Sequence, residues 1–171
     1  MKTTAIIMTF WLVAAAAHAQ EGVPAAWYGA VDLGQARVHV DRLSDNRDTS
    51  FGVDVGYRLN RSFAVEGSFV RLGAFQPSYN VRALSIAAVG FLPIEGAFSL
   101  YGKAGIASTH VESGHATPNA TALLLGAGLR YDITPRWFAK AGWDRYTRVG
   151  DEAVGRGSAD VFSVGLGLEF R

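Results

Sequence analysis

The chain has 171 residues, which is enough for one domain of ordinary size. Its formal net charge of +1 excludes a strong bulk attraction to nucleic acid or to an anionic membrane surface. Only 18% of the residues are charged, against about 25% in typical soluble domains, and cysteine is absent, so disulfides contribute nothing to stability.

The first predicted element is a secretory signal peptide over residues 1–19. Lys2 supplies a positive charge, and residues 5–17 form an apolar stretch behind it. A membrane-spanning helix needs roughly 20 apolar residues and this stretch has about 13, so a permanent anchor is the less favoured alternative.

Signal cleavage is predicted directly after Ala19. Ala17 and Ala19 flank one residue in the A-x-A pattern of cleavage sites, which leaves Gln20 as the first mature residue. The predicted domain organisation is therefore a signal peptide over 1–19 and one exported domain over 20–171.

Eight segments of the exported domain alternate between two kinds of side chain at successive positions. A period of two is typical of β-strands, and no stretch shows a sustained helical period. Each segment is close in length to a membrane-spanning strand, which has about 9–11 residues. In chain order the segments are 26–38, 49–59, 62–72, 81–92, 97–107, 121–131, 136–146 and 158–170.

The links between these segments alternate in length. Tight turns are predicted at 60–61, 93–96 and 132–135, whereas the other four links are longer and polar. An up-and-down meander has this pattern, and in outer-membrane barrels the short turns face the periplasm and the long loops face outward. An even number of strands places both chain ends on the short-turn side.

The two faces of these segments differ in composition. In segment 49–59 a continuous apolar row opposes Gly52, Asp54 and Gly56. Small residues and scattered charges suit the narrow lumen of an eight-stranded barrel, and an apolar row suits lipid. We therefore predict an all-β fold, an eight-stranded antiparallel up-and-down transmembrane β-barrel. A soluble lipocalin-like barrel is the structural alternative, which detergent-free solubility of the mature chain would reveal.

Charged side chains on the predicted inner face nearly balance. Because an isolated buried charge is costly and a paired one is tolerated, we predict a network of ion pairs that fills the lumen. An ion-conducting path is the rival interpretation, although eight strands leave little room for water. The predicted network comprises Asp32, Asp54, Arg58, Glu66, Lys103, Arg130, Lys140, Asp144 and Glu169.

Aromatic residues cluster beside the short turns and at the chain ends, so they would share one rim of the barrel. Such a ring is typical of the membrane interface. Two segments fit the pattern less well: the inward face of 81–92 is not assigned, and Tyr101 is predicted to point inward or to lie at the rim. The predicted girdle consists of Trp27, Tyr57, Phe63, Phe91, Phe98, Tyr131, Trp137 and Phe170.

Several stretches occur in an order and spacing typical of one family. They are WYGAVDLG, AAVGFLPI, LYGKAGI, LLLGAGLRYDITP, WFAKAGWDRY and FSVGLGLEF. In these stretches the chain resembles the small eight-stranded outer-membrane barrels related to the transmembrane domain of outer-membrane protein A, and to the opacity and Ail/Lom-type surface proteins. The resemblance covers nearly the whole mature chain and implies a place in the outer membrane of a Gram-negative bacterium.

The resemblance also implies roles for two groups of residues. Members of this family carry inward-facing charged pairs, and the comparable positions here are Glu66, Lys103, Arg130 and Lys140. Their last strand usually ends on an aromatic residue that the outer-membrane assembly machinery recognises; Arg171, one residue further on, is a departure from that pattern. The implied assembly signal is Phe162, Val164, Leu166, Leu168 and Phe170.

The predicted function is non-enzymatic. The barrel would support envelope integrity and present its extracellular loops for adhesion or surface interaction, although a fold alone does not specify a function. The expected partners are outer-membrane lipid and lipopolysaccharide, the outer-membrane assembly machinery, and a host or surface ligand at the long loops. No nucleic acid, cofactor or metal is expected.

Two other functions remain open, a lipid A-modifying barrel enzyme and a narrow ion-conducting pore. Acyl transfer needs a serine oriented by a histidine and an acid. The histidines of the mature chain, His39, His110 and His115, lie at strand ends or in outer loops without that arrangement, so no catalytic residue is assigned. His110, Glu112 and His115 could be imagined as metal ligands, but such spacing in a loop is not specific.

Overall fold

A computed structural model describes residues 25–40, 43–74, 80–112, 119–149 and 157–170. The predicted signal peptide, with Ala17, Ala19 and Gln20 at its cleavage site, lies outside the described residues. Within the described ranges, no helix is long and apolar enough to cross a membrane.

The described residues form eight antiparallel strands in one closed barrel, in which each strand pairs with its neighbours in sequence and β1 pairs with β8. This arrangement confirms the predicted fold class. Closure leaves the backbone groups of the wall paired with one another, which hydrocarbon requires because it offers no hydrogen-bond partners. The strands are β1 Ala26–Val40, β2 Leu43–Arg58, β3 Phe63–Ala74, β4 Asn80–Pro93, β5 Phe98–Glu112, β6 Asn119–Asp132, β7 Trp137–Val149 and β8 Gly157–Phe170.

Tight turns join the strands at one end of the barrel, and local hydrogen bonds explain two of them. Between β2 and β3, Asn60 Oδ1 accepts from the backbone N–H of Phe63 at 2.8 Å. Between β6 and β7, Thr134 Oγ1 accepts from the backbone N–H of Trp137 at 2.9 Å. The turn between β4 and β5 contains Gly96 with φ of 59°, a conformation that favours glycine.

At the opposite end the strands extend further than the sequence pattern predicts. The first long link, expected to be a polar loop over 39–48, is mostly strand, because β1 and β2 remain paired up to Val40 and Leu43. Backbone pairing outside the bilayer needs no apolar row, since polar side chains there can be solvated. Hydrophobic alternation therefore marks only the part of each strand that crosses the membrane.

The outer face of the barrel is apolar along the middle of every strand. Leu33, Leu84 and Ile106 are each more than half exposed, as lipid-facing side chains must be when no lipid surrounds them. On β4, which the sequence left unassigned, Ala83, Ala87 and Val89 are buried and face inward. The buried apolar side chains of the described strands form two clusters inside the barrel.

Candidate functional site: the lumen and the barrel surface

The middle of the lumen contains two lysines, each held between two carboxylates. Lys140 pairs with Asp32 at 3.0 Å and with Asp54. Lys103 pairs with Asp144 at 2.9 Å and with Glu66 at 3.4 Å. The sequence brings these groups together because inward positions recur every second residue, and neighbouring strands place them at similar depths.

The short-turn end of the lumen contains a second cluster, in which one carboxylate joins two arginines. Glu169 Oε1 accepts from Arg58 at 3.1 Å and from Arg130 at 2.6 Å. The guanidinium carbons of these arginines lie 4.5 Å and 3.8 Å from the ring centroids of Phe91 and Phe138 respectively. Charge pairing and cation–π contacts therefore fix both arginines inside the barrel.

The structure places all nine residues of the predicted network on the inner face. Each of the nine makes at least one ion pair with another inner-face residue. Two further members were missed from the sequence: Tyr28, whose hydroxyl donates to Glu66 at 2.8 Å, and Asp132, which accepts from Arg130 at 2.7 Å. Tyr28 has the same alternation phase as Asp32, which is the signal that could have found it.

Glycines on the inner face make room for the larger lumenal side chains. A Cβ at Gly56 would lie 2.1 Å from the ring of Tyr28, and one at Gly167 would lie 2.1 Å from the ring of Phe138. Both distances are far inside van der Waals contact, so the absence of a side chain is a packing requirement. Tyr101, which was predicted to point inward or to lie at the rim, packs inward against the apolar cluster that contains Phe91.

An apolar layer separates the charged middle of the lumen from the loop end. Leu124 and Tyr146 are almost fully buried there and pack among alanines of several strands. Beside the ion pairs, a lumenal cavity of about 20 Å³ remains, room for about one water molecule. Side chains therefore fill the middle of the described lumen, whereas a larger cavity of about 320 Å³, lined by Arg58, Arg130 and Glu169 among others, lies at its short-turn end.

Seven of the eight predicted girdle residues lie on the outer face at the short-turn rim, where Trp27 contacts Tyr57 and Phe98 contacts Tyr131. The assignment of Phe91 to this girdle was wrong. Phe91 has the same phase as Val89, is only 9% exposed and lies under the Arg58 guanidinium inside the barrel. The β4 segment is apolar on both faces, so its composition could not reveal which face points into the barrel.

The predicted assembly signal forms one outward row on β8. Its five members alternate with Ser163, Gly165, Gly167 and Glu169, which lie on the inner side. Recognition of this row by assembly machinery remains a prediction, and Arg171 lies outside the described residues. The row consists of Phe162, Val164, Leu166, Leu168 and Phe170.

The histidines considered for catalysis or metal binding are not brought together. His39 lies in β1 and His110 in β5, which are four strands apart in the ring, and His115 lies outside the described residues. Among the residues that the structure describes, no group of three or more histidine or acidic side chains is arranged to hold a metal ion.

The closed wall, the lipid-facing apolar surface and the charge-paired lumen together define an integral outer-membrane β-barrel of eight strands. Comparison with known proteins identifies the family. Residues 6–170 match the model of the outer membrane protein β-barrel domain, so the chain belongs to that family and is located in the outer membrane. No curated protein sequence matches the chain.

Solved structures show the same fold at low sequence identity. Neisserial surface protein A is 19% identical with a TM-score of 0.72, covering 88% of this chain and all of that one. Ail, the attachment invasion locus protein of Yersinia pestis, is 22% identical with a TM-score of 0.59, covering 85% and 98%. The N-terminal barrel domain of Pseudomonas aeruginosa OprF is 20% identical with a TM-score of 0.60, covering 84% and 97%.

Proposed function

We propose that this chain is a non-enzymatic surface barrel that supports envelope integrity and presents its extracellular segments to a host or surface ligand. The observation that carries the proposal is the filled middle of the lumen: its four carboxylates pair with Lys103 or Lys140, and the cavity beside them, of about 20 Å³, has room for about one water molecule. Recognition of a ligand would therefore take place at the loop end or on the outer wall.

The loop end contains the segments that such a role would use. The β1–β2 hairpin continues as paired strand to Val40 and Leu43, which extends the barrel wall at the loop end. Segments 75–79, 113–118 and 150–156 connect the remaining strands at this end. Ail, a barrel of the same fold, is an attachment invasion protein, and one of its structures contains the heparin analogue sucrose octasulfate. A sulfated or similarly anionic surface glycan is therefore the first ligand to test.

Replacing 75–79, 113–118 and 150–156 with short glycine–serine linkers tests the proposal. Cells carrying the native chain should bind a heparin-coated surface more strongly than cells carrying the replaced chain. Heat-modifiable gel mobility in the outer-membrane fraction should show that both chains form barrels. Unchanged surface binding and unchanged envelope permeability after replacement would contradict the proposal.

Two measurements address the alternative functions. Incubation of the purified barrel with lipopolysaccharide should release or transfer no fatty acid, since the inner-face acids are engaged in ion pairs and His39 and His110 stand in opposite walls. Planar bilayers should show no steady single-channel conductance, because the layer around Leu124 and Tyr146 fills the lumen. Acyl transfer or steady conductance would replace the proposed function with the corresponding alternative.

A further inference from the structure

A cavity of about 320 Å³ lies at the short-turn end of the barrel, separate from the small cavity in the middle of the lumen. Its volume is at the lower end of the range for small-molecule sites, which is roughly 300–1,000 Å³. Because the short turns of outer-membrane barrels face the periplasm, a solute of that compartment can reach the cavity. The lining consists of the β6–β7 turn over 133–135 and four charged residues, Arg58, Arg130, Asp132 and Glu169.

The walls of this cavity are fixed by backbone pairing. Arg58 is the last residue of β2, and Arg130 lies two positions before the end of β6. The turn that follows β6 is closed by a hydrogen bond from the Ile133 N–H to the Trp137 carbonyl oxygen at 2.9 Å. The charged side chains therefore project from paired strand ends, so a ligand would meet a preformed site.

The four charges around the cavity balance, but they differ in accessibility. Glu169 is deeply buried, and its Oε1 atom already accepts from both Arg58 and Arg130. Asp132 pairs with Arg130 through Oδ1, yet its side chain is 41% exposed, so this carboxylate remains accessible from the short-turn end. Because two acids oppose two arginines, a ligand with charge of only one sign gains no net attraction at this site.

Arg58 has hydrogen-bonding capacity that the described side chains do not use. A guanidinium group has five N–H donors, whereas the described residues give Arg58 one acceptor, Glu169, at 3.1 Å. Its Nε atom is buried without an acceptor, and the whole side chain is nine-tenths buried. Because a buried donor without a partner is unfavourable, an additional acceptor beside this guanidinium group would be stabilising.

From this arrangement we propose that the short-turn cavity binds a zwitterion with one ammonium and one carboxylate group, as an amino acid or a short peptide has. The carboxylate would accept from Arg58, whose planar guanidinium group suits it, and the ammonium would donate to Asp132. A zwitterion matches the balanced charge of the lining, which a phosphate dianion does not. The inference goes beyond the proposed surface function, because it assigns a small ligand to the opposite end of the barrel.

Titration of the purified barrel in phosphatidylcholine nanodiscs with L-alanine tests this site, with the arginine Nε–H resonances in NMR spectra as the readout. A small ligand held by two charged contacts should bind with a Kd of about 1 mM. N-acetyl-L-alanine lacks the ammonium and L-alaninamide lacks the carboxylate, so each should bind about tenfold more weakly or worse. Tighter binding of L-alanyl-L-alanine than of L-alanine would identify a peptide, and the reverse order a free amino acid, as the ligand.

Two pairs of variants separate the roles of the charged groups. D132N should bind L-alanine about tenfold more weakly than the native chain but N-acetyl-L-alanine equally well, because only the ammonium contact is lost. R58Q should weaken the binding of both compounds by about tenfold. The matched controls E95Q and R61Q change exposed side chains in the other short turns, and they should bind L-alanine within about twofold of the native chain.

The remaining arms show whether the site itself is responsible. Heat-modifiable mobility should be the same for all chains, and R58K replaces R58Q if the latter does not fold, with an affinity between those of R58Q and the native chain. Equal losses in D132N and E95Q would overturn the proposal in favour of general surface electrostatics. Binding of N-acetyl-L-alanine or L-alaninamide as tight as that of L-alanine would also overturn it. So would the absence of saturable binding of both L-alanine and the dipeptide up to about 20 mM.

Discussion

Glu169 offers the most direct test of how the lumen is stabilised. Its Oε1 atom accepts from Arg58 at 3.1 Å and from Arg130 at 2.6 Å, and all three side chains are at least nine-tenths buried. Substitution of Glu169 by glutamine keeps the shape but leaves two guanidinium groups facing each other, with Asp132 near one of them. Removing one partner of a buried ion pair costs about 3–5 kcal/mol, so E169Q should lose free energy of unfolding of that order.

Urea unfolding of the barrel reconstituted in lipid vesicles measures this loss. With a slope of about 2 kcal/mol/M, the midpoint should fall by about 1.5–2.5 M. Glu95 lies in an exposed turn and provides the control, since E95Q should shift the midpoint by less than about 0.3 M. In the double variant R58Q/E169Q the remaining charges are again balanced, so part of the lost stability should return. An E169Q midpoint equal to that of E95Q would refute the ion-pair account.

Three other predictions concern packing, lipid contact and assembly. G167A should lower the free energy of unfolding by about 1–3 kcal/mol, since its Cβ would meet the ring of Phe138. G102A should be close to neutral, because its Cβ would lie 3.9 Å from the Gly126 carbonyl oxygen, an ordinary contact distance. Equal losses in the two variants would contradict this packing. V31R, in the middle of the outer wall, should lower the free energy of unfolding by about 2–4 kcal/mol in the same urea assay. Q35R, nearer the loop end, should lower it by about 0–1 kcal/mol. A reversed order would mean that the lipid-facing band is misplaced. F170A should reduce the heat-modifiable form recovered from outer membranes, and normal recovery would argue against β8 as the assembly signal.

The strand pattern could be predicted from the sequence because alternation has a strict period. Once one inward residue of a strand is known, such as Asp54 on β2, every second residue shares its direction. The prediction failed for Phe91 because β4 is apolar on both faces, so composition carried no information about phase. The strand ends beyond the membrane were also missed, because paired backbone there depends on hydrogen bonds that any side chain permits.

The pairing within the lumen could not be predicted from the sequence, for a different reason. Arg58 and Glu169 are 111 positions apart, and their contact depends on the register of strands that meet only when the barrel closes. A slip of one residue in any register would reverse the direction of a whole strand. Charge balance could therefore indicate that a network exists, but not which cation would meet which anion.

The seam between β1 and β8 has a consequence for how the protein is made. Every other strand pairs with its sequence neighbour, but the thirteen residue pairs of the seam join the two ends of the domain. Until the last strand has been synthesised, β1 has unpaired backbone donors and acceptors that hydrocarbon cannot satisfy. Until β8 is available, the free edge of β1 therefore has to be paired with another protein or kept out of hydrocarbon.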